Sequence, residues 1–434
     1  MAAPSHAVLT SRTGTGPIIG LLAGAHFSHH VLTAVIVPLL PFIRNEFGLS
    51  YAQTGFVTSA FTVAYGFAQL PAGWLADRVG PRYLLLFGIT GVAATGLVVG
   101  LSPVFAVLIV GLLLMGIAGG GYHPAASAVI AHMVHPDRRG QAMGVHIIGG
   151  STSFFLAPLL AAGLVTAFGW RGTFLALSLP VALLGLLLFV LIARRMDRGV
   201  PARAVDAPDR ATRPVAETAD AAPGGAASSA SGSAASGPAA SPARRRSGVV
   251  HMTFFLILTG ILGAGVGSLI PYLPLYLVDG RGVDERVAAG FLSVIFAAGF
   301  FAAPLGGLLS DRLGRVKVLV AAGLLTVPVI LLLTVMPFPV PFAAALLLLG
   351  VFMFVRMPTS EAHIASEVSA RNRGTVLGIY FFSGAEGSAV LTPLLGATID
   401  RWGFEIGIAG MGVLVLVASV ACGVGMLATA RRRR

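Results

Sequence analysis

Apolar positions in this chain neither alternate nor keep to one helical face; they run on in long blocks. Blocks of about 20 to 28 mostly apolar residues suit helices crossing a hydrocarbon layer about 30 Å thick. Twelve such spans are predicted, at 17–43, 52–75, 82–101, 104–133, 140–167, 171–193, 249–278, 285–309, 315–336, 340–367, 374–399 and 404–429. The short alternating strands of a membrane β-barrel are missing. Residues 196–248 break the pattern with Ala, Ser, Gly, Pro and Arg, a composition that cannot bury a core. They are expected to form a disordered cytoplasmic linker between two six-helix bundles, 1–195 and 249–434.

The two bundles repeat each other. Gly73-Trp74-Leu75-Ala76-Asp77-Arg78-Val79-Gly80-Pro81-Arg82 recurs as Gly307-Leu308-Leu309-Ser310-Asp311-Arg312-Leu313-Gly314-Arg315, and 311 − 77 = 234. Pro124 maps to Pro358 and Arg139-Gly140 to Arg373-Gly374 at the same shift. A membrane chain built twice over points to a transporter, whose halves rock about a site between them.

Composition agrees with a lipid environment. The chain is 56% hydrophobic and 11% charged, against roughly 25% charged in soluble domains. Its formal charge of +12 raises nucleic acid as a partner, but placement excludes it. Of the 29 Lys and Arg, 23 fall on one side of the predicted membrane, five on the other, and Arg356 within a span. That asymmetry predicts cytoplasmic N and C termini. The first span is too long for a signal-peptide core and reads as retained. Cys422 is the only cysteine, so no intrachain disulfide can form.

The run carrying Gly73, Leu75, Asp77, Arg78, Gly80 and Arg82 resembles the signature loop of the major facilitator superfamily. Twelve spans, a long central loop and the weaker copy at Gly307, Asp311 and Arg312 are similar to that family too. The resemblance implies an all-α membrane fold of two pseudo-symmetric six-helix bundles and a monomer. It also implies a gating role for both loops. Physically, Asp77 at a helix end can pair with Arg and with a neighbouring helix N-terminus, a contact that can form in one state and break in another.

Within the superfamily the chain is similar to the fosmidomycin-resistance-type exporters. The likeness rests on Phe27-Ser28-His29, on Pro38-Leu39-Leu40-Pro41-Phe42-Ile43 and on Glu46-Phe47-Gly48-Leu49-Ser50. Gly119-Gly120-Gly121-Tyr122-His123-Pro124, Gly149-Gly150 and Ala157-Pro158-Leu159-Leu160 extend it. The match departs where Val31-Leu32-Thr33 follows the span-one His, and where Leu113 stands near the Arg of many drug/proton exchangers.

A charge at mid-membrane costs about 2.5–3.5 kcal/mol on insertion scales, so it rarely persists without use. Arg356, the repeat counterpart of Tyr122, offers a planar fork for a carboxylate or phosphonate, or an ion pair with Glu386 or Glu361. Arg356, Tyr122, His30, His26 and Glu361 are the candidate substrate contacts; the resemblance places spans one, four, seven and ten on the central cavity. Glu386, His123 and His146 are the candidate proton carriers, because imidazole and desolvated carboxyl groups titrate in a useful range. His26 and His30 share a face one turn apart with His29 beside them, but no carboxylate or Cys lies near in sequence, so no metal site is predicted. Gly119-Gly120-Gly121 lacks the Lys-Ser/Thr of a phosphate loop and suits close helix packing instead. No cofactor is expected.

These readings combine into a multi-pass secondary transporter of the bacterial inner membrane. The leading expectation is proton-coupled efflux, an antiporter carrying a drug, antibiotic or small organic anion. The alternative is proton-coupled uptake of an organic acid. Besides lipid, the predicted partners are the small-molecule substrate and protons; an enzyme is not expected, since no nucleophile or metal carboxylates converge on the span-one histidines.

Overall fold

The computed structural model describes residues 15–134, 139–199 and 242–433, and the described residues are helical with short turns. Eight helical stretches among them are long and apolar enough to cross a membrane. Two of these, Ala142–Arg194 and Thr375–Thr429, hold two crossings each, because the chain reverses at Gly169 (φ 65°) and Gly403 (φ 83°). Thr15–Ala34 and Tyr51–Val79, whose polar side chains lower their hydropathy, complete twelve spans.

Span 1 is not one helix over 17–43. It ends at Ala34, passes through a turn, and resumes as Leu40–Phe47. Span 7 does the same, stopping at Leu269 before the short turn Tyr272–Leu275. Pro38 and Pro41 in one, Pro271 and Pro274 in the other, remove backbone N–H donors and crowd the preceding turn. Span 4 is interrupted at Gly121, between Phe105–Gly120 and Tyr122–Met133, three residues before Pro124. The last N-half helix runs to Gly199 and the first C-half helix begins at Pro242; the rest of the predicted linker, 200–241, lies outside the described residues.

The duplication is written into the backbone. Gly48 and Gly282 (φ 61° and 67°), Gly80 and Gly314 (96° and 93°), and Gly169 and Gly403 all have positive φ. Each pair keeps the same offset, as in 314 − 80 = 234. Only glycine takes these angles without steric cost, so both halves turn at matching points. Ser50 and Asp284 likewise cap the second span of each half, each accepting backbone N–H bonds at the helix start.

The halves meet along spans 2 and 11 and along spans 5 and 8. Ser59 Oγ donates to the Ala389 carbonyl (2.6 Å) and Ser293 Oγ to the Phe155 carbonyl (2.7 Å). Beyond these, at the face opposite the termini, Arg44 pairs with Asp279 (3.1 Å), and Tyr51 Oη donates to the same carboxylate (2.9 Å). Asn45 Nδ2 donates to Glu285 (2.5 Å). Asp400, at the end of span 11, accepts the backbone N–H groups of Tyr51 and Ala52 (2.8 and 2.9 Å), an N-cap supplied to span 2 from the other half. Tyr272 Oη donates toward the carbonyls of Tyr51 and Thr392 (3.0 and 2.8 Å). All of these hydrogen bonds between the halves lie toward this face.

Candidate functional site

The ionisable side chains singled out from the sequence sit within the helices of both halves. In the N half, span 1 contributes His26, His29 and His30, span 4 Tyr122 and His123, and span 5 His146. Close helix approach builds the cluster. A Cβ at Gly149 would meet the Ala23 backbone (2.8 Å to the carbonyl carbon), and one at Gly150 would strike the His26 ring. Glycine at both positions lets span 5 press against span 1.

The rings are then stacked and tethered. His26 stacks on His146 (centroids 4.2 Å, 11°) and His29 on Tyr122 (4.4 Å, 7°). Backbone carbonyls only accept, so three ring nitrogens must carry protons. These are His26 Nδ1 toward the His146 carbonyl (2.8 Å), His29 Nδ1 toward Gly88 (2.9 Å) and His146 Nδ1 toward Leu22 (3.0 Å). His30 Nε2 faces His123 Nε2 at 3.3 Å. Tyr122 is fully buried behind the cluster, its hydroxyl toward the Leu22 carbonyl (3.4 Å). His30 and His123 are the partly exposed members. His30 packs on Phe154, which touches Phe296 of the other half. Tyr65, beside His29, and Phe154 are members that sequence spacing did not reveal; only helix packing brings them in.

In the C half, Arg356 Nη1 donates to the Thr259 carbonyl of span 7 (3.3 Å), and its guanidinium lies over Gly263. It forms no ion pair with Glu361 or Glu386, the pairing considered from sequence. Arg356 and Tyr122, counterparts in the repeat, thus both reach the backbone of the first span of their own half. Glu361 is half-buried further along span 10. Glu386 lies at the seam, with Oε1 pressed where a Gly66 side chain would be, and that buried oxygen has no hydrogen-bond partner. Phe67 and Phe382 meet beside it (6.0 Å). No hydrogen bond or ring contact among the described residues joins the histidine cluster to Arg356, Glu361 or Glu386.

The signature loops lie at the face bearing the termini. Gly73 and Asp77 are helical, but their side-chain surroundings lie outside what is described. Arg78 stacks on Trp74 (4.2 Å) and Arg82 on Tyr83 (4.8 Å). Asp311 and Arg312 are exposed, and Gly307 faces open space, so no close approach occurs there in this conformation.

A model of the Major Facilitator Superfamily matches residues 22–385 and 255–434. The chain belongs to that superfamily. Among relatives, a probable sulfoacetate transporter, SauU, of Cupriavidus necator is 28% identical over 68% of this chain and 65% of its own length. The fosmidomycin resistance protein of Escherichia coli is 23% identical over 94% of this chain and 86% of its own. The multidrug resistance protein MdtG of Enterobacter lignolyticus is 26% identical over 94% and 90%. A bacterial homologue of the human lysosomal transporter Spinster, inward-facing and occupied, superposes with a TM-score of 0.72 at 17% identity over 96% of each chain. The superfamily chain is therefore a multi-pass secondary transporter and not an enzyme.

Proposed function

We propose that this superfamily member is a proton-coupled exporter of a small organic anion or amphiphilic compound, acting as a monomer in a bacterial inner membrane with both termini cytoplasmic. The basic loops flanking the termini support that orientation. With it, the bonded face is periplasmic, and the described conformation is inward-facing. Coupling is carried by one observation: the Glu386 carboxyl is packed against Gly66 of the opposite half with a buried, unpartnered oxygen. Burying an unpaired carboxylate is costly, and taking up a proton removes most of that cost. Protonation of Glu386 and closure of this seam are then linked, which is what exchange of a proton for a substrate requires. Arg356 clamps the anionic group of the substrate, and the partly exposed His30 faces it from the N half. The buried His26 and Tyr122 position His30 from behind, and Glu361 takes part as the protonated carboxylic acid. His123 and His146 relay protons, and the Gly73–Arg82 and Gly307–Arg312 loops close the cytoplasmic gate. The resistance-protein relatives favour export.

Uptake of an organic acid by symport is the second reading, favoured by Arg356 and by the sulfoacetate relative. Everted vesicles separate the two. Export requires an acid interior to drive accumulation of fosmidomycin or sulfoacetate, whereas symport predicts no accumulation under that gradient. Accumulation that ignores the gradient would remove proton coupling from both readings.

A further inference from the structure

The histidine cluster has a property the transport reading does not use. His26, His30 and His123 each offer a ring nitrogen, and these three atoms lie within 4.8 Å of one another. On sequence, span 1 lacked neighbours to complete a coordination shell; the fold supplies His123 from span 4. The tautomer of His26 is settled by its Nδ1–H bond to the His146 carbonyl, which leaves Nε2 with its lone pair. That Nε2 is buried and has no hydrogen-bond partner, while the residue as a whole is 6% exposed. An orphaned, oriented imidazole nitrogen inside a membrane protein needs a partner, and a metal ion is the partner this arrangement fits. The carbonyl tether is the outer-shell bond that metal-ligating histidines ordinarily make.

Geometry points the same way. Zinc–nitrogen bonds of about 2.0–2.1 Å in a tetrahedron place neighbouring ligand atoms about 3.3 Å apart. His30 Nε2 and His123 Nε2 already stand at 3.3 Å. The remaining separations are at most 4.8 Å. His29 does not belong to the set, because its Nδ1 is held by Gly88 and its Nε2 faces the Tyr65 hydroxyl. Three imidazole nitrogens leave one position of the tetrahedron open to water, and hydroxide or an anionic group there also offsets part of the cation's charge. The partly exposed His30, with Phe154 and Phe296 beside it, puts that fourth position toward the seam between the halves.

We propose that His26, His30 and His123 form a binding site for one zinc-type divalent cation, with an open fourth position that accepts water or an anion. The site stands on these residues alone and does not depend on the direction of transport; with the cation bound, His123 no longer relays protons and that role falls to His146. The test uses the full chain purified into nanodiscs, titrated with Zn²⁺ by calorimetry and with Co²⁺ by visible absorption. One equivalent should bind, with the intense ligand-field bands of four-coordinate cobalt. His123→Leu and His30→Leu should each weaken Zn²⁺ binding at least tenfold. His123→Cys should restore it, since a thiolate replaces imidazole as ligand, which separates loss of a ligand from loss of folding. Absence of saturable binding to the unmodified chain overturns the proposal. So does binding that survives both leucine variants unchanged.

Discussion

Replacing Gly396 with alanine loads the contact between the halves at the bonded face. Gly396 lies in span 11 opposite the start of span 2, where a Cβ would clash with the Tyr51 carbonyl oxygen, lie 2.6 Å from its carbonyl carbon, and meet the Tyr272 hydroxyl of span 7 that bonds the same carbonyl. The Tyr272 hydroxyl is a side-chain tip that can shift, but the obstruction from the opposite half is helix backbone, which cannot rotate away. Gly396 itself is helical, so alanine suits its local conformation and favours the helix equally in every state. The penalty therefore falls at the seam, where spans 2, 7 and 11 meet around the Tyr51 carbonyl. Overpacking of this kind costs about 1–3 kcal/mol. At about 1.4 kcal/mol per factor of ten, the closed-to-open ratio at this face drops by about five- to 150-fold. The chain has one cysteine, Cys422, so a cysteine-free background needs a single change. Spin labels at Val104 and Val340, both exposed at this face, would report the separation by pulsed electron resonance. Gly396→Ala should move population from the short to the long distance while leaving thermal stability near that of the parent. An unchanged distance distribution in a well-folded variant would refute the idea that backbone contact closes the seam.

Three further outcomes are expected. Glu386→Gln should abolish gradient-driven accumulation in everted vesicles yet preserve substrate exchange at equal pH, because the amide mimics the protonated carboxyl permanently; retained gradient-driven accumulation removes Glu386 from coupling. Arg356→Ala should raise KM by about ten- to 150-fold, the worth of a charge-assisted hydrogen bond of about 1.5–3 kcal/mol. Arg356→Lys should recover only part of that, because lysine lacks the planar fork; an unaltered KM in Arg356→Ala counts against the anion clamp. At the bonded face, hydrogen bonds from Arg171 and then Trp170 hold the Glu46 carboxyl below the ordinary glutamate range. A depressed folded-state value means its stabilisation is present above about pH 4.5 and fades as pH falls through the folded value. The melting temperature of the parent should therefore converge on that of Glu46→Gln in acid, and Trp170 fluorescence should change over the same window; parallel melting curves at every pH contradict this.

The architecture was legible in the sequence because its cause is local and repeated. Lipid offers no hydrogen bonds, so each crossing must be a helix of apolar side chains, and twelve such runs can be read directly. The 234-residue repeat in the Asp77 and Asp311 loops foretold two halves, and the matching positive-φ glycines bear it out. The breaks after Ala34 and Leu269 were in the prolines, although the apolar run hid where each helix stopped. The candidate site residues stood out in the sequence, since an Arg, a Glu or a His within lipid is conspicuous whatever it touches.

Their partners were not legible. Arg356, Glu386 and Glu361 lie within 30 residues of one another, yet no ion pair forms among them. Glu386 instead meets Gly66, and Asp400 caps the start of span 2, both across the seam between halves. His146 reaches His26 because Gly149 and Gly150 let spans 1 and 5 touch, and His123 is brought in by span 4, whose Gly119 packs against His29. Hydropathy is a property of one helix in its solvent and survives in a list of residues. Which side chains converge depends on helix rotation and on the distance between axes, and those are set by packing against every neighbour at once.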